Sequence, residues 1–460
     1  MNVAFTRYFL LNLHLSQWQN GSYFYRLVGI LRSWREGSFL LQFSEAIGAL
    51  LISLVVVSGP FVSTSLIGVL LLACSGYWGI ITLSAEQNSG LTPIHLLVLL
   101  YWAISTVAVG FSPLPQDAFS GWVIFTLYLL FFALAARIMR SPRILNWVIT
   151  IFLLVSLVVS SYGVRQEFFG VEQLATWNDP TSVLAKDTRV YSYLGNPNLL
   201  AGYLLAAVAL SVAAVVVWRG WFCKALALTM VIINISCLYF TDSRGGWIGL
   251  LALIITFLLL LRFWFHNYLP RFWQLWLLPL IFVSLAGFLF AGILLVEPLR
   301  LRVLSIFAGR EDSSNNFRMN VWLAALDMVG DRPLIGIGPG HEVFNKIYPL
   351  YMRPNYTALS AYSIFLETAV EIGLIGLSAF LWLIIVTFSQ GIRILGYFRF
   401  TGNNQGFWLI AAIAAMVGML AHGFVDTVWF RPQINTIWWL MMAIIASQYY
   451  CLNREENSIY

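Results

Sequence analysis

The chain has 460 residues, of which 60% are hydrophobic, 16% aromatic and only 10% charged, where a soluble domain carries about 25% charged residues. A mean hydropathy of +0.80, spread along the whole length, excludes a soluble globular protein and points to an all-α, polytopic integral membrane domain. The net charge of +6 sits on arginines scattered beside apolar stretches, as topology signals do, so no nucleic-acid partner follows from it.

In chain order, residues 1–45 read as a cytoplasmic N-terminal segment. It has no compact apolar core near Met1 and no small-residue cleavage site, which argues against a secretory signal. Within it Phe24, Leu27, Val28, Leu31 and Trp34 share one helical face, with Arg26, Arg32 and Arg35 elsewhere, the pattern of a helix lying on a membrane surface. Residues 46–452 form the transmembrane domain and 453–460 a cytoplasmic tail. A helix needs about 20 apolar residues to cross a bilayer. Twelve stretches qualify, at 46–58, 61–83, 93–109, 119–136, 145–162, 198–217, 225–240, 246–261, 275–296, 359–388, 407–424 and 434–450. Ser58-Gly59-Pro60 divides the first two.

Fourteen of the 26 lysines and arginines fall in the connections that are inner if the N-terminus is inside. Only Arg244 and Arg431 fall in short outer turns, and the other ten lie in two long loops. The positive-inside rule then places both termini in the cytoplasm. The two long outer loops, 163–197 and 297–358, are the places with room for soluble-style structure. In the second, residues 317–329 predict a short amphipathic helix closed by Gly330-Asp331-Arg332-Pro333. The Gly336-Ile337-Gly338-Pro339-Gly340 run that follows has neither a preceding strand nor a Walker lysine, so it is not a nucleotide loop. Gly245 and Gly249, four apart, allow close helix packing. The four cysteines have no CxxC spacing and read as structural, and no metal or other cofactor is implied.

Three arginines at outer span ends carry the clearest functional signal. Arg189 precedes Gly195-Asn196-Pro197-Asn198, Arg244 lies in Asp242-Ser243-Arg244-Gly245-Gly246, and Arg318 opens the loop helix. A guanidinium fork binds phosphate or carboxylate bidentately, and helix starts add free N–H donors. Together they describe an outward-facing anion site; separate interfacial anchors paired with Asp242, Asp187 or Glu311 are the alternative. Glu367 and Glu371 share one helix face, as do His422 and Asp426. The glutamates suit pairing with the outer arginines or catalysis. His422 and Asp426 suit proton handling, or a salt link with Arg431 close by.

The strings GNPNLLAGYL after an arginine, DSRGGWIGL, NFRMNVWLAALDMVGDRPLIGIGPG and an L-E-x-x-x-E-x-G-x-x-G stretch resemble the O-antigen ligase and polymerase superfamily of bacterial envelope proteins. Within it, NFRMNVWLAALD, IYPLYMRPNYTALSAYSIFLE and HGFVDTVWFRP are most similar to the branch associated with inorganic-carbon (bicarbonate) transport. The resemblance implies a role in inorganic-carbon accumulation, with bicarbonate as ligand. The ligase branch implies the alternative, inverting and metal-independent transfer of a lipid-linked glycan from a polyprenyl pyrophosphate carrier in the membrane. There Arg189, Arg244 and Arg318 match the pyrophosphate-binding arginines, and the slot of the activating histidine reads Tyr362. His341, about 20 residues upstream, could serve only if the loop folds back.

Overall fold

A computed structural model describes residues 28–85, 91–170, 189–426 and 428–451. Among these residues the chain is helical with no strands, as expected of a protein whose backbone must satisfy its own hydrogen bonds in lipid. Fifteen principal helices follow two short turns at Arg32–Gly37 and Phe39–Gln42. They are α1 Ser44–Ser58, α2 Thr64–Leu83, α3 Pro93–Gly110, α4 Pro115–Ile138, α5 Pro142–Phe169, α6 Pro197–Val217, α7 Trp221–Phe240 and α8 Arg244–Phe265. The rest are α9 Arg271–Leu295, α10 Glu297–Phe307, α11 Ser313–Asp331, α12 His341–Ile347, α13 Ile364–Thr401, α14 Gly406–Gly423 and α15 Pro432–Gln448.

Ten of these helices are long and apolar enough to cross a membrane. The expectation of twelve spans depends on adding α1, with 15 residues, and α15, with 17. Proline opens α3, α4, α5, α6 and α15, where its missing N–H costs no hydrogen bond. Helix α5 continues to Phe169, so the first long loop starts later than residue 163. Of the expected surface helix, residues 24–27 lie outside the described residues; of the rest, Arg32–Gly37 is helical, and Leu31 and Trp34 are exposed.

Helices α6 and α14 form the centre and are buried along most of their length. Backbones approach closely where α8 meets α14: a Cβ on Gly249 would lie 2.7 Å from the Gly418 carbonyl oxygen, and one on Gly418 would lie 2.9 Å from that of Gly249. At the periphery, α9 buries only Leu278. The second long loop is compact. Its α11 covers the predicted amphipathic stretch and contributes Val321, Ala324, Ala325 and Met328 to a small separate core with Ile337, Phe344 and Tyr348.

Helix α13 is broken at Gly373, whose φ is +70°. Residues 333–338 fill the break. Ile337 and Gly338 donate to the Val370 and Glu371 carbonyls at 2.9 and 2.8 Å, and Leu374 donates to the Pro333 carbonyl at 2.7 Å. This explains the glycine-rich run: Gly336, Gly338 and Gly340 all have positive φ, and a Cβ on any of them would strike a neighbour.

Candidate functional site

The site lies at the end of the bundle that the sequence assigns to the outer face, where α6 and α8 begin and α14 ends. Asn196 caps α6 by accepting from Asn198 N at 2.8 Å, and Ser243 caps α8 by accepting from Gly246 N at 3.2 Å. Asp242, in the turn before α8, has φ +50°, a conformation that a short polar side chain tolerates.

Arg189 donates from Nε to the Thr241 carbonyl and from Nη2 to Asn198 Oδ1, each at 3.1 Å. Asn198 Nδ2 in turn donates to Asp426 Oδ2 at 2.7 Å. Arg318 Nη2 reaches the same carboxylate oxygen at 3.5 Å. Arg244 Nη1 pairs with Asp312 Oδ1 at 3.0 Å and donates to Ser305 O and Oγ at 3.1 and 3.2 Å. Asp312 also caps α11 through Asn315 N at 2.8 Å. A fourth arginine, Arg302 on α10, pairs with Asp242 Oδ1 at 3.0 Å and donates to its carbonyl.

These four arginines act on one another. Burial and the charges of Arg302 and Arg318 push the Arg189 guanidinium down to about 10, against the pull of Asp242 and Asp426. Among the described residues, four guanidiniums face three carboxylates, Asp242, Asp312 and Asp426. The anchor alternative paired the three arginines with Asp242, Asp187 or Glu311; instead Arg244 pairs with Asp312 and Arg318 with Asp426, and Asp242 takes Arg302. Asp187 lies outside the described residues.

Tyr362 lies against α11, the helix that carries Arg318. Burial raises its phenol, as do Asp426 and Glu367, with Arg318 opposing. Its backbone has φ +49°, its carbonyl accepts from Trp322 Nε1 at 3.2 Å, and its ring meets Phe317 edge-on at 5.5 Å. His341 is placed elsewhere: it stacks on Phe430 at 4.9 Å. Burial lowers its pKa, Glu342 opposes this and Arg431 adds to it.

The two glutamates do not pair with the arginines. Glu367 Oε2 accepts from Ala361 N at 2.5 Å and Glu371 Oε1 from Gly340 N at 3.0 Å, so both hold loop backbone. His422 is buried, its ring against Gly245, with neither nitrogen hydrogen-bonded to the described residues. Asp426 takes Arg318 rather than Arg431, whose guanidinium lies over Phe430 at 4.9 Å. Sequence reasoning missed Arg302, Asn198 and Asp312. The available signals were two arginines directly after the ninth span and an aspartate in N-cap position before Ser313. Among the described residues no group of three His, Cys, Asp or Glu side chains is arranged to hold a metal.

Residues 229–381 match the family described as O-antigen ligase. The matched stretch holds Arg244, Arg302, Arg318, His341, Tyr362, Glu367 and Glu371, and it leaves Arg189, His422 and Asp426 outside. It supports the O-antigen ligase superfamily and does not single out a branch within it. No curated protein matches the chain.

Proposed function

We propose that this membrane protein binds the pyrophosphate of a polyprenyl-linked saccharide at its arginine end and transfers the glycan from it. The observation that carries the reading is the convergence of Arg189, Arg244, Arg302 and Arg318 from four separate segments on one end of the bundle. Planar forks suit phosphate oxygens better than point charges do. In the transfer, an acceptor hydroxyl oxygen bonds to the anomeric carbon while that carbon's bond to the pyrophosphate oxygen breaks. The charge left on the polyprenyl pyrophosphate is stabilised by the arginines. Tyr362, whose phenol keeps its proton, acts as a hydrogen-bond donor. Asp426, between Arg318 and Asn198, takes the acceptor's proton.

Inorganic-carbon accumulation is the second reading. It is favoured by charge: among the described residues the arginines outnumber the carboxylates, which suits a small anion such as bicarbonate. Against it stands the path, since beneath the site α6 and α14 present Leu204, Val208, Ile413 and Met416, all buried and apolar. Binding of a short-chain polyprenyl pyrophosphate to the protein in nanodiscs separates the two. Tight, Arg244-dependent binding supports transfer; weak binding unchanged in Arg244→Lys counts against it.

A further inference from the structure

The strained Tyr362 backbone calls for an explanation. A tyrosine with φ +49° persists only where its surroundings over-determine it, and such residues cluster at functional sites. Three contacts hold this one. Glu367, one turn into α13, accepts the N–H of Ala361, the residue before it. Trp322 of α11 donates to its own carbonyl. Phe317, also of α11, packs on its ring and is followed directly by Arg318, which pairs with Asp426.

We infer that Glu367 is a positioning residue, which by holding Ala361 N–H keeps the Tyr362 phenol fixed beside the Arg318–Asp426 pair, facing the bound ligand. Glu367 is itself buried, at 7% exposure, and Ser360, Ala361 and Ser363 around the strained residue are buried with it. Its carboxylate therefore acts on the loop backbone and not on solvent. The same device is repeated one turn further along, where Glu371 holds Gly340 N–H and so fixes the glycine-rich segment. The two stacked carboxylates thus attach two loop segments to one helix, and Glu367 is the one that governs the candidate ligand-facing side chain.

The inference rests on the proposed function only for what Tyr362 faces; its position is testable without ligand. The full chain, carrying 3-fluorotyrosine at position 362, is placed in nanodiscs and its 19F spectrum recorded. A single narrow line is expected for the parent protein and for Glu367→Gln, whose amide oxygen still accepts the Ala361 N–H. Glu367→Leu is expected to shift or broaden the line and to weaken binding of a short-chain polyprenyl pyrophosphate roughly tenfold, the scale of one lost hydrogen bond, with Glu367→Gln restoring both. Glu367→Met, which keeps an unbranched side chain of similar length and offers only a weak thioether acceptor, is expected to broaden the line in the same way and covers the case in which Glu367→Leu does not fold. An unchanged line in folded Glu367→Leu, or in folded Glu367→Met if the leucine variant is lost, overturns the inference. A parent protein that shows no pyrophosphate binding defeats the proposed function instead, and the 19F lines still decide the positioning.

Discussion

The Arg318 guanidinium stands 3.5 Å from the Asp426 carboxylate, which ties loop helix α11 to the far end of α14. The same carboxylate oxygen accepts from Asn198, and Asn198 accepts from Arg189. A ligand that competes for Arg318 therefore acts on Arg189 through two intervening side chains, so the loop and the membrane domain respond to it as one unit.

Replacing Arg189, Arg244 or Arg318 with lysine is expected to lower affinity for a polyprenyl pyrophosphate by tenfold or more, roughly the loss of one bidentate contact. Lysine keeps the charge opposite Asp312 and Asp426, the partners of Arg244 and Arg318, which avoids the cost of about 3–5 kcal/mol of leaving a buried partner uncompensated, and among the described residues Arg189 pairs with no aspartate whose charge would be stranded. Size-exclusion profiles and thermal unfolding should therefore match the parent protein. Three variants with unchanged affinity would contradict a shared site.

Tyr362→His is expected to raise glycan transfer above the parent's by adding a second proton acceptor to Asp426, because an imidazole near 6.5 takes a proton at neutral pH and a phenol raised above its ordinary 10 does not. The measurement is release of free polyprenyl pyrophosphate in the presence of a saccharide acceptor. Unaltered release weakens the transfer reading.

His341 sets a pH dependence of stability. Its folded pKa lies below the ordinary 6.5 because of burial, so below pH 6.5 the unfolded chain binds a proton that the folded chain does not. The stability it contributes is present above that pH and is lost as pH falls through the folded value. In detergent, the parent protein should lose unfolding temperature between pH 7 and 5 relative to His341→Phe, which keeps the stack on Phe430; parallel curves would refute this.

Gly373→Ala is expected to destabilise the protein by about 1–3 kcal/mol. The substituted residue would keep φ +70° and its Cβ would strike the Leu334 carbonyl in the break of α13. Gly76→Ala in α2, where a Cβ meets nothing within 4 Å, should stay within about 0.5 kcal/mol of the parent or be slightly stabilising. Equal unfolding temperatures for the two variants would show that the break carries no such constraint.

The spans were legible because apolar length and proline punctuation are local: predicted and observed helices differ mainly at their ends. Arg189, Arg244 and Arg318 were legible as separate signals, since each is a cation beside an apolar stretch. Their partners were not. Asn198 and Asp426 are 228 positions apart, and Arg302 and the Asp242 carbonyl 60, and no helical period links such distances. Glu367 and Glu371 were correctly placed on one face, yet their acceptor role depends on loop backbone folding onto α13. The glycine-rich run shows in the sequence only as a turn-forming segment, and its use as a plug for a broken helix requires knowing that Gly373 breaks it.

The most direct test of the central claim uses purified protein in liposomes. Labelled bicarbonate uptake is measured with Arg244→Ala as control, beside binding of a polyprenyl pyrophosphate to the same preparations. The account predicts no uptake above protein-free liposomes, together with tight pyrophosphate binding that Arg244→Ala abolishes. Saturable bicarbonate uptake that is lost in Arg244→Ala would contradict it and make the arginine cluster part of a transport site.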